Sequence, residues 1–238
     1  RDRLAVEGCL NLIDPRAEGV IIIDVGGGST ELSWLKREET QWRTTSWMSA
    51  PLGVVSLAER HPEPANAGDS WYEAMVADMG AALAAGGIQD AGMLALLARD
   101  RAHLIGTSGA ITSLAGIHLK LPRYNRDRVD GLWMTRSDCE AAADRLKALG
   151  PDGRAREACI GPDRADLVLA GAAILEAIQR AWPSERVRVA DRGLREGLLL
   201  QRMREEQKPP RRRRRRRGRG RGSAGRDVTP PALAPIHI

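Results

Sequence analysis

Ile21-Ile22-Ile23-Asp24-Val25-Gly26-Gly27-Gly28-Ser29-Thr30-Glu31 decides the fold of this chain. The apolar, β-branched start marks a buried strand. Three glycines then turn the chain, and Leu32-Ser33-Trp34-Leu35 carries it away in extended form. Glycine lets backbone approach a ligand closely, and successive N–H groups in such a bend form a concave anion site. Ser29 and Thr30 add hydroxyls, while Asp24 and Glu31 bracket the bend with carboxylates. Two carboxylates beside an anion nest repel unless a cation lies between them, and Mg²⁺ is the natural choice. A glycine-rich hairpin with incidental acids is the plain alternative for Gly-Gly-Gly alone. The full Asp-Val-Gly-Gly-Gly-Ser-Thr-Glu string after a strand favours phosphate binding, through Gly26, Gly27, Gly28, Ser29 and Thr30.

The bend joins two strands and opens no helix. That separates it from a Walker loop or a dinucleotide fingerprint, both of which require a helix next. A third strand is expected around Thr44–Met48 after a turn at Lys36–Thr40, which completes an antiparallel meander. Further along, His103-Leu104-Ile105 reads as a short strand followed by Gly106-Thr107-Ser108-Gly109 and a helix over 110–119. Here the small-residue loop does open a helix. Free N–H groups and the positive dipole end favour a phosphate there. A tight strand-to-helix turn explains the same residues, but a second such loop in one chain points to phosphate.

Between these loops, Trp71, Met75, Met79 and Leu83 recur at i, i+4, with Asp69 or Ser70 as cap and Gly86-Gly87 as terminator. Ala91–Ala98 is a short apolar helix. Residues 4–13 read as the last turns of a helix ended by Asp14-Pro15. Residues 121–131 form a charged loop in which Arg123, Arg126 and Arg128 could meet a polyanion or simply be solvated. Ser137–Glu140 reads as a capping box for a helix to about Leu149, and Ala155–Cys159 as a short helix. A strong helix starts at Asp163 with Leu167, Gly171, Ile174, Ile178 and Trp182 on one face. Val187–Ala190 is a last strand, and Asp191 caps a helix over Arg192–Arg202.

Composition narrows the function classes. The 238 residues are 42% hydrophobic but only 3% aromatic, with no Phe, so the core is aliphatic. No apolar run is long enough to span a bilayer, and Arg1-Asp2-Arg3-Leu4 lacks a signal-peptide core. The three cysteines are dispersed and not in Cys-x-x-Cys form, which argues against zinc and for a reducing, cytoplasmic setting. The four histidines are equally scattered and read as surface or satisfied core residues. The net charge of +6 conceals an asymmetry. From Lys208 onward eleven Lys and Arg stand against Asp227 alone, so the preceding body carries −4. Residues 205–238, with Pro209-Pro210 and the Arg211–Arg217 run, cannot bury apolar area and are expected to be disordered. The Arg211–Arg221 stretch suits RNA or another polyanion, with strong salt dependence; a nonspecific solvating tail is the alternative.

Taken together, the motifs resemble the exopolyphosphatase / guanosine pentaphosphate phosphohydrolase family. Asp24–Glu31 is similar to its second phosphate motif, and Pro51-Leu-Gly-Val-Val-Ser-Leu57 to the strand and turn after it. Gly106-Thr-Ser-Gly-Ala-Ile-Thr112 is similar to its later glycine motif. Gly161–Gly171 and Val189–Gly197 resemble two C-terminal signatures. The resemblance runs in order over roughly residues 4–200. It implies an α/β, actin-like (RNase H-like) ATPase-type domain: a mixed sheet with an antiparallel meander, flanked by helices, over residues 1–204. It implies hydrolysis of a terminal phosphoanhydride, with polyphosphate or guanosine pentaphosphate as substrate and Mg²⁺ as cofactor. Asp24 and Glu31 take the metal and water-positioning roles, and Gly106, Thr107, Ser108 and Gly109 form the opposite wall of the phosphate site. Family members have two such domains, and this chain matches the second; a homodimer is expected where the first is present. The family's general-base Glu lies in an acidic segment upstream of the Asp24 motif, whose end aligns with Arg1–Leu4. Glu7 lies past that position, so the chain is expected to be weakly active or inactive alone. An actin-like nucleotide kinase or ATPase, and a non-enzymatic RNA- or polyanion-binding module, are the competing expectations.

Overall fold

The computed structural model describes residues 2–191. The sheet grows from the central strand β1, Gly19–Val25, whose residues are buried on both faces except at Asp24. It pairs antiparallel with β2, Thr30–Glu38, and β2 pairs antiparallel with β3, Gln41–Ala50. On its other side β1 pairs parallel with β4, Ala102–Thr107. Two later strands complete the sheet: β5, Trp133–Thr135, and β6, Arg186–Ala190. The order is β3-β2-β1-β4-β6-β5, with β4–β6 parallel and β5 antiparallel at the edge. A meander on one half and parallel strands on the other is the mixed sheet the motifs imply.

The two faces are covered unequally. One carries Ile21, Ile23, Leu32, Trp34, Leu104 and Val187 into the large core. The helices on that side are α2 (Val54–Arg60), α3 (Asp69–Ala85), α4 (Ala91–Ala98), α5 (Gly109–His118), α7 (Arg136–Arg156) and α8 (Val168–Ala181). The short α6, Arg126–Val129, lies between α5 and β5. Burial in α8 runs almost all round the helix, because it packs against α3, α5 and α7. Gly171 permits this: a Cβ there would stand 2.4 Å from that of Ala110 on α5. On the opposite face, α1 (Asp2–Cys9) and the turn after it cover Val20, Ile22, Leu35 and Ile105 with Cys9, Leu12 and Ile13.

Several local expectations are corrected. Residues 54–57 open the helix α2 rather than continue a strand and turn, because Ser56 closes a capping arrangement on Gly53. The meander turn is shorter than Lys36–Thr40, since β2 runs to Glu38 and Glu39 turns with φ 53°. Gly68 is the N-cap of α3, without a side-chain bond. The capping box of α7 is Thr135 with Asp138, two residues before the expected one, and α7 passes Leu149 through a bend at Gly150 (φ 63°). Residues 162–164 make one turn of 3-10 helix, and the strong helix begins only at Val168. The Arg192–Arg202 helix and the basic tail lie outside the described residues.

Two buried polar side chains, His103 and Arg154, are paired. His103 is fully buried; the Asp14 N–H donates to its Nε2, so Nδ1 carries the proton and donates to Leu104 O. Burial, reinforced by the Arg186 charge, lowers its pKa to about 4. Arg154 is buried too, bonding Ala165 O, Leu146 O and the Glu63 carboxylate. It thereby fixes the turn that leads into α8. Among the described residues no helix is long and apolar enough to cross a membrane, and no group of three His, Cys, Asp or Glu side chains gathers.

Candidate active site

The β1–β2 register sets Asp24 directly opposite Glu31. The β1–β4 register sets Asp24 beside Thr107, and the β2–β3 register sets Glu31 opposite Ser49. Residues opposed across neighbouring strands share a sheet face. Ser49, Glu31, Asp24 and Thr107 therefore form one transverse row across four strands. Thr107 Oγ1 donates to Asp24 Oδ1 at 3.0 Å. Ser29 Oγ and Ser49 Oγ donate to Glu31 Oε1 at 2.6 and 3.0 Å. Like charges directly opposite in a sheet are destabilising, and a cation between the two half-buried carboxylates would relieve that.

The glycine bend is held from behind by α2. Gly26 N–H closes the turn onto Ser29 O at 2.8 Å. The Gly26 carbonyl accepts from Val54 N–H, and the Gly27 carbonyl from Val55 and Ser56 N–H. The first-turn donors of α2, which a helix leaves unsatisfied, are thus spent on the bend. In a planar trans peptide the N–H points opposite to the preceding C=O. Gly27 and Gly28 therefore turn their N–H groups away from α2, and among the described residues these amides and that of Ser29 have no acceptor. The contact demands glycine at 53, where a Cβ would lie 2.3 Å from Gly26 O.

The second loop stands beside the first because β1 and β4 are parallel neighbours. Gly106 itself lies within β4, where its missing Cβ makes room for Ile111 at 3.0 Å. Ser108 caps α5 with φ 123° and ψ 165°, a region essentially reserved for glycine. Its Oγ is closed off from solvent and has no partner among the described residues. Strain and an orphaned hydroxyl at a helix N-terminus make Ser108 the most stressed residue at the site. Of the other hydroxyls expected to face an anion, Thr30 is committed to Leu52 O at 2.7 Å, and Ser29 and Thr107 to the carboxylates.

A cavity of about 150 Å³ separates the bends, lined by Gly26, Gly27, Val54, Gly109, Ser113 and Arg164 among others. Arg164 is the residue that sequence reasoning did not single out. Its guanidinium carbon would be 3.2 Å from a Cβ on Gly109, so a cation packs against the N-terminus of α5. That placement opposes the helix dipole unless an anion joins them, and no carboxylate pairs with Arg164 among the described residues. The signal was its place in Gly161-Pro-Asp-Arg-Ala-Asp, after a positive-φ glycine. Of the loop arginines, Arg126 is taken by Asp191, which Tyr124 also bonds, while Arg123 and Arg128 stay exposed.

A mixed sheet with an antiparallel meander on one half, parallel strands on the other and helices around it is the actin-like fold. The chain belongs to the Ppx/GppA phosphatase family, whose model matches residues 3–206. It is 28% identical over 195 residues to exopolyphosphatase 1 of Mycobacterium bovis and, equally, of Mycobacterium tuberculosis. That match covers 79% of this chain and 52% of each relative, so the chain spans about half their length. The fold is similar to the Aquifex aeolicus Ppx/GppA family member, with TM-score 0.71 at 23% identity over 87% of this chain and 63% of that one. It is also similar to an exopolyphosphatase from Cytophaga hutchinsonii, with TM-score 0.69 at 18% identity over 85% and 62% of the two chains.

Proposed function

We propose that this chain supplies the metal- and phosphate-binding wall of a phosphoanhydride hydrolase acting on polyphosphate. The observation that carries the reading is the row Ser49–Glu31–Asp24–Thr107 beside two bends with free backbone donors. Asp24 and Glu31 suit Mg²⁺, which is usually held by one or two carboxylates together with substrate phosphates and water. Bound there, Mg²⁺ supplies positive charge to the phosphate oxygens as the anhydride breaks. Thr107 orients Asp24, and Ser29 orients Glu31. The amides of Gly27, Gly28 and Ser29 donate to a non-bridging oxygen, and Arg164 with the α5 N-terminus holds a second phosphate. The proton acceptor for the attacking water falls, by the family resemblance, upstream near Arg1–Leu4.

Guanosine pentaphosphate offers the same terminal anhydride. The cavity, at about 150 Å³, is smaller than the roughly 300 Å³ at which pockets begin to enclose drug-sized ligands. That favours a chain of phosphates over recognition of a nucleoside, and it disfavours the kinase reading, which needs an adenosine pocket beside Gly109. The test is tripolyphosphate with Mg²⁺ in a thermal-shift assay on the whole chain. The melting temperature should rise only when both are present, and the rise should vanish in Asp24→Asn and Glu31→Gln. A shift of equal size in those variants would place the anion elsewhere and sink the reading. Competition by ATP as strong as by tripolyphosphate would favour the kinase.

A further inference from the structure

The proposed metal site has a member on the edge strand. Ser49 belongs to β3, where Met48 and Ala50 on either side point into the core and Ser49 is exposed. Its hydroxyl makes one hydrogen bond, to Glu31 Oε1, from the strand that pairs with β2. Ser29 reaches the same oxygen from the bend at the other end of the site. A carboxylate oxygen offers two lone-pair positions, and both on Oε1 are filled. Among the described residues no donor falls on Glu31 Oε2.

We propose that Ser49 is a positioning residue: with Ser29 it clamps Glu31 Oε1 and leaves Oε2 as the single oxygen through which Glu31 meets a divalent cation. The inference rests on the metal reading above and adds to it which atom binds and what holds it. Two hydroxyls, one from the glycine bend and one from β3, hold the carboxylate more firmly than one could. Without Ser49 the side chain can rotate about Cγ–Cδ and present either oxygen. The core gains nothing from this hydroxyl, because Ser49 is solvent-facing and its side chain makes no other bond. Partners that orient a metal ligand typically matter tenfold or more in affinity, and an exposed neutral hydrogen bond falls at the lower end of that effect.

The experiment uses the whole chain and Mn²⁺ as a paramagnetic substitute for Mg²⁺, with bound and free metal read by electron paramagnetic resonance. Ser49→Ala should weaken Mn²⁺ about three- to tenfold with the melting temperature of the metal-free chain unchanged. Ser49→Thr, which restores a hydroxyl on a residue that suits strands, should recover wild-type affinity. Ser49→Val, of the same shape without the hydroxyl, should not. Glu31→Gln should abolish binding. If Ser49→Ala or Ser49→Val binds as the wild type does while Glu31→Gln fails, the positioning role is wrong and the metal reading stands. If Glu31→Gln binds normally, or the wild type takes up no Mn²⁺, the metal reading is wrong and this inference goes with it.

Discussion

Replacing Ser108 with glycine should make the protein more stable. Ser108 holds φ 123° and ψ 165°, a region costing a non-glycine residue about 1–3 kcal/mol. Its Oγ is enclosed without a partner, which costs a further ~1–3 kcal/mol of lost hydration. Glycine removes both costs and gives back about 0.5–1 kcal/mol through the added freedom of the unfolded chain. The net gain is about 3 kcal/mol, equivalent to a rise of roughly 6–12 °C in a domain of this size. Urea unfolding followed by circular dichroism measures it directly, with an unchanged m-value as the control for a pure stability effect. A Ser108→Gly protein of equal or lower stability would refute the reasoning, since neither the strain nor the orphaned hydroxyl could then be real.

Other expectations follow from the same contacts. Gly53→Ala drives a methyl into the carbonyls of Gly26 and Gly27; it should cost about 1–3 kcal/mol in urea unfolding and abolish the tripolyphosphate shift. Arg154→Ala strips three bonds from a buried guanidinium, and a loss of about 3–5 kcal/mol is expected by the same assay. His103 titrates near 6.5 when unfolded and near 4 when folded, so the unfolded chain takes up the proton first. Its contribution is intact above pH 6.5 and falls away towards pH 4, by roughly 3 kcal/mol in all, and His103→Gln should flatten that part of the stability–pH curve. Truncation at Lys208 should remove salt-sensitive RNA or polyphosphate binding while leaving the Mg²⁺-dependent thermal shift in place.

Much of this was legible in the sequence because it is local. The run Val20–Ile23 can only be a strand buried on both faces, and Ala91–Ala98 is a helix with the bounds its apolar run suggests. The two bends declared themselves through composition, and the fold brought them side by side through β1 and β4. What escaped depends on partners distant in the chain. The strand β5 is three residues long and exists because Arg188 and Val187 pair with it. The resemblance implied strand and turn over Pro51–Leu57, yet α2 starts at Val54 and its first amides are satisfied by the glycine bend and not by a neighbouring strand. Thr30 seemed a phosphate donor until alternation along β2 turned it towards Leu52. Ser49 carries no local signature and Arg164 only its place in the Gly161–Gly171 motif, so register and packing are what reveal them.

The bond pattern between the glycine bend and α2 has a mechanical consequence. Bend and helix share one set of hydrogen bonds, so neither can open alone. Their amides at Val54, Val55 and Ser56 should exchange with deuterium as a single slow block, and a ligand seated on the far side of the bend should slow that block further. Fraying that begins at Arg60, well away from any phosphate, would be transmitted to the binding loop as a loss of rigidity.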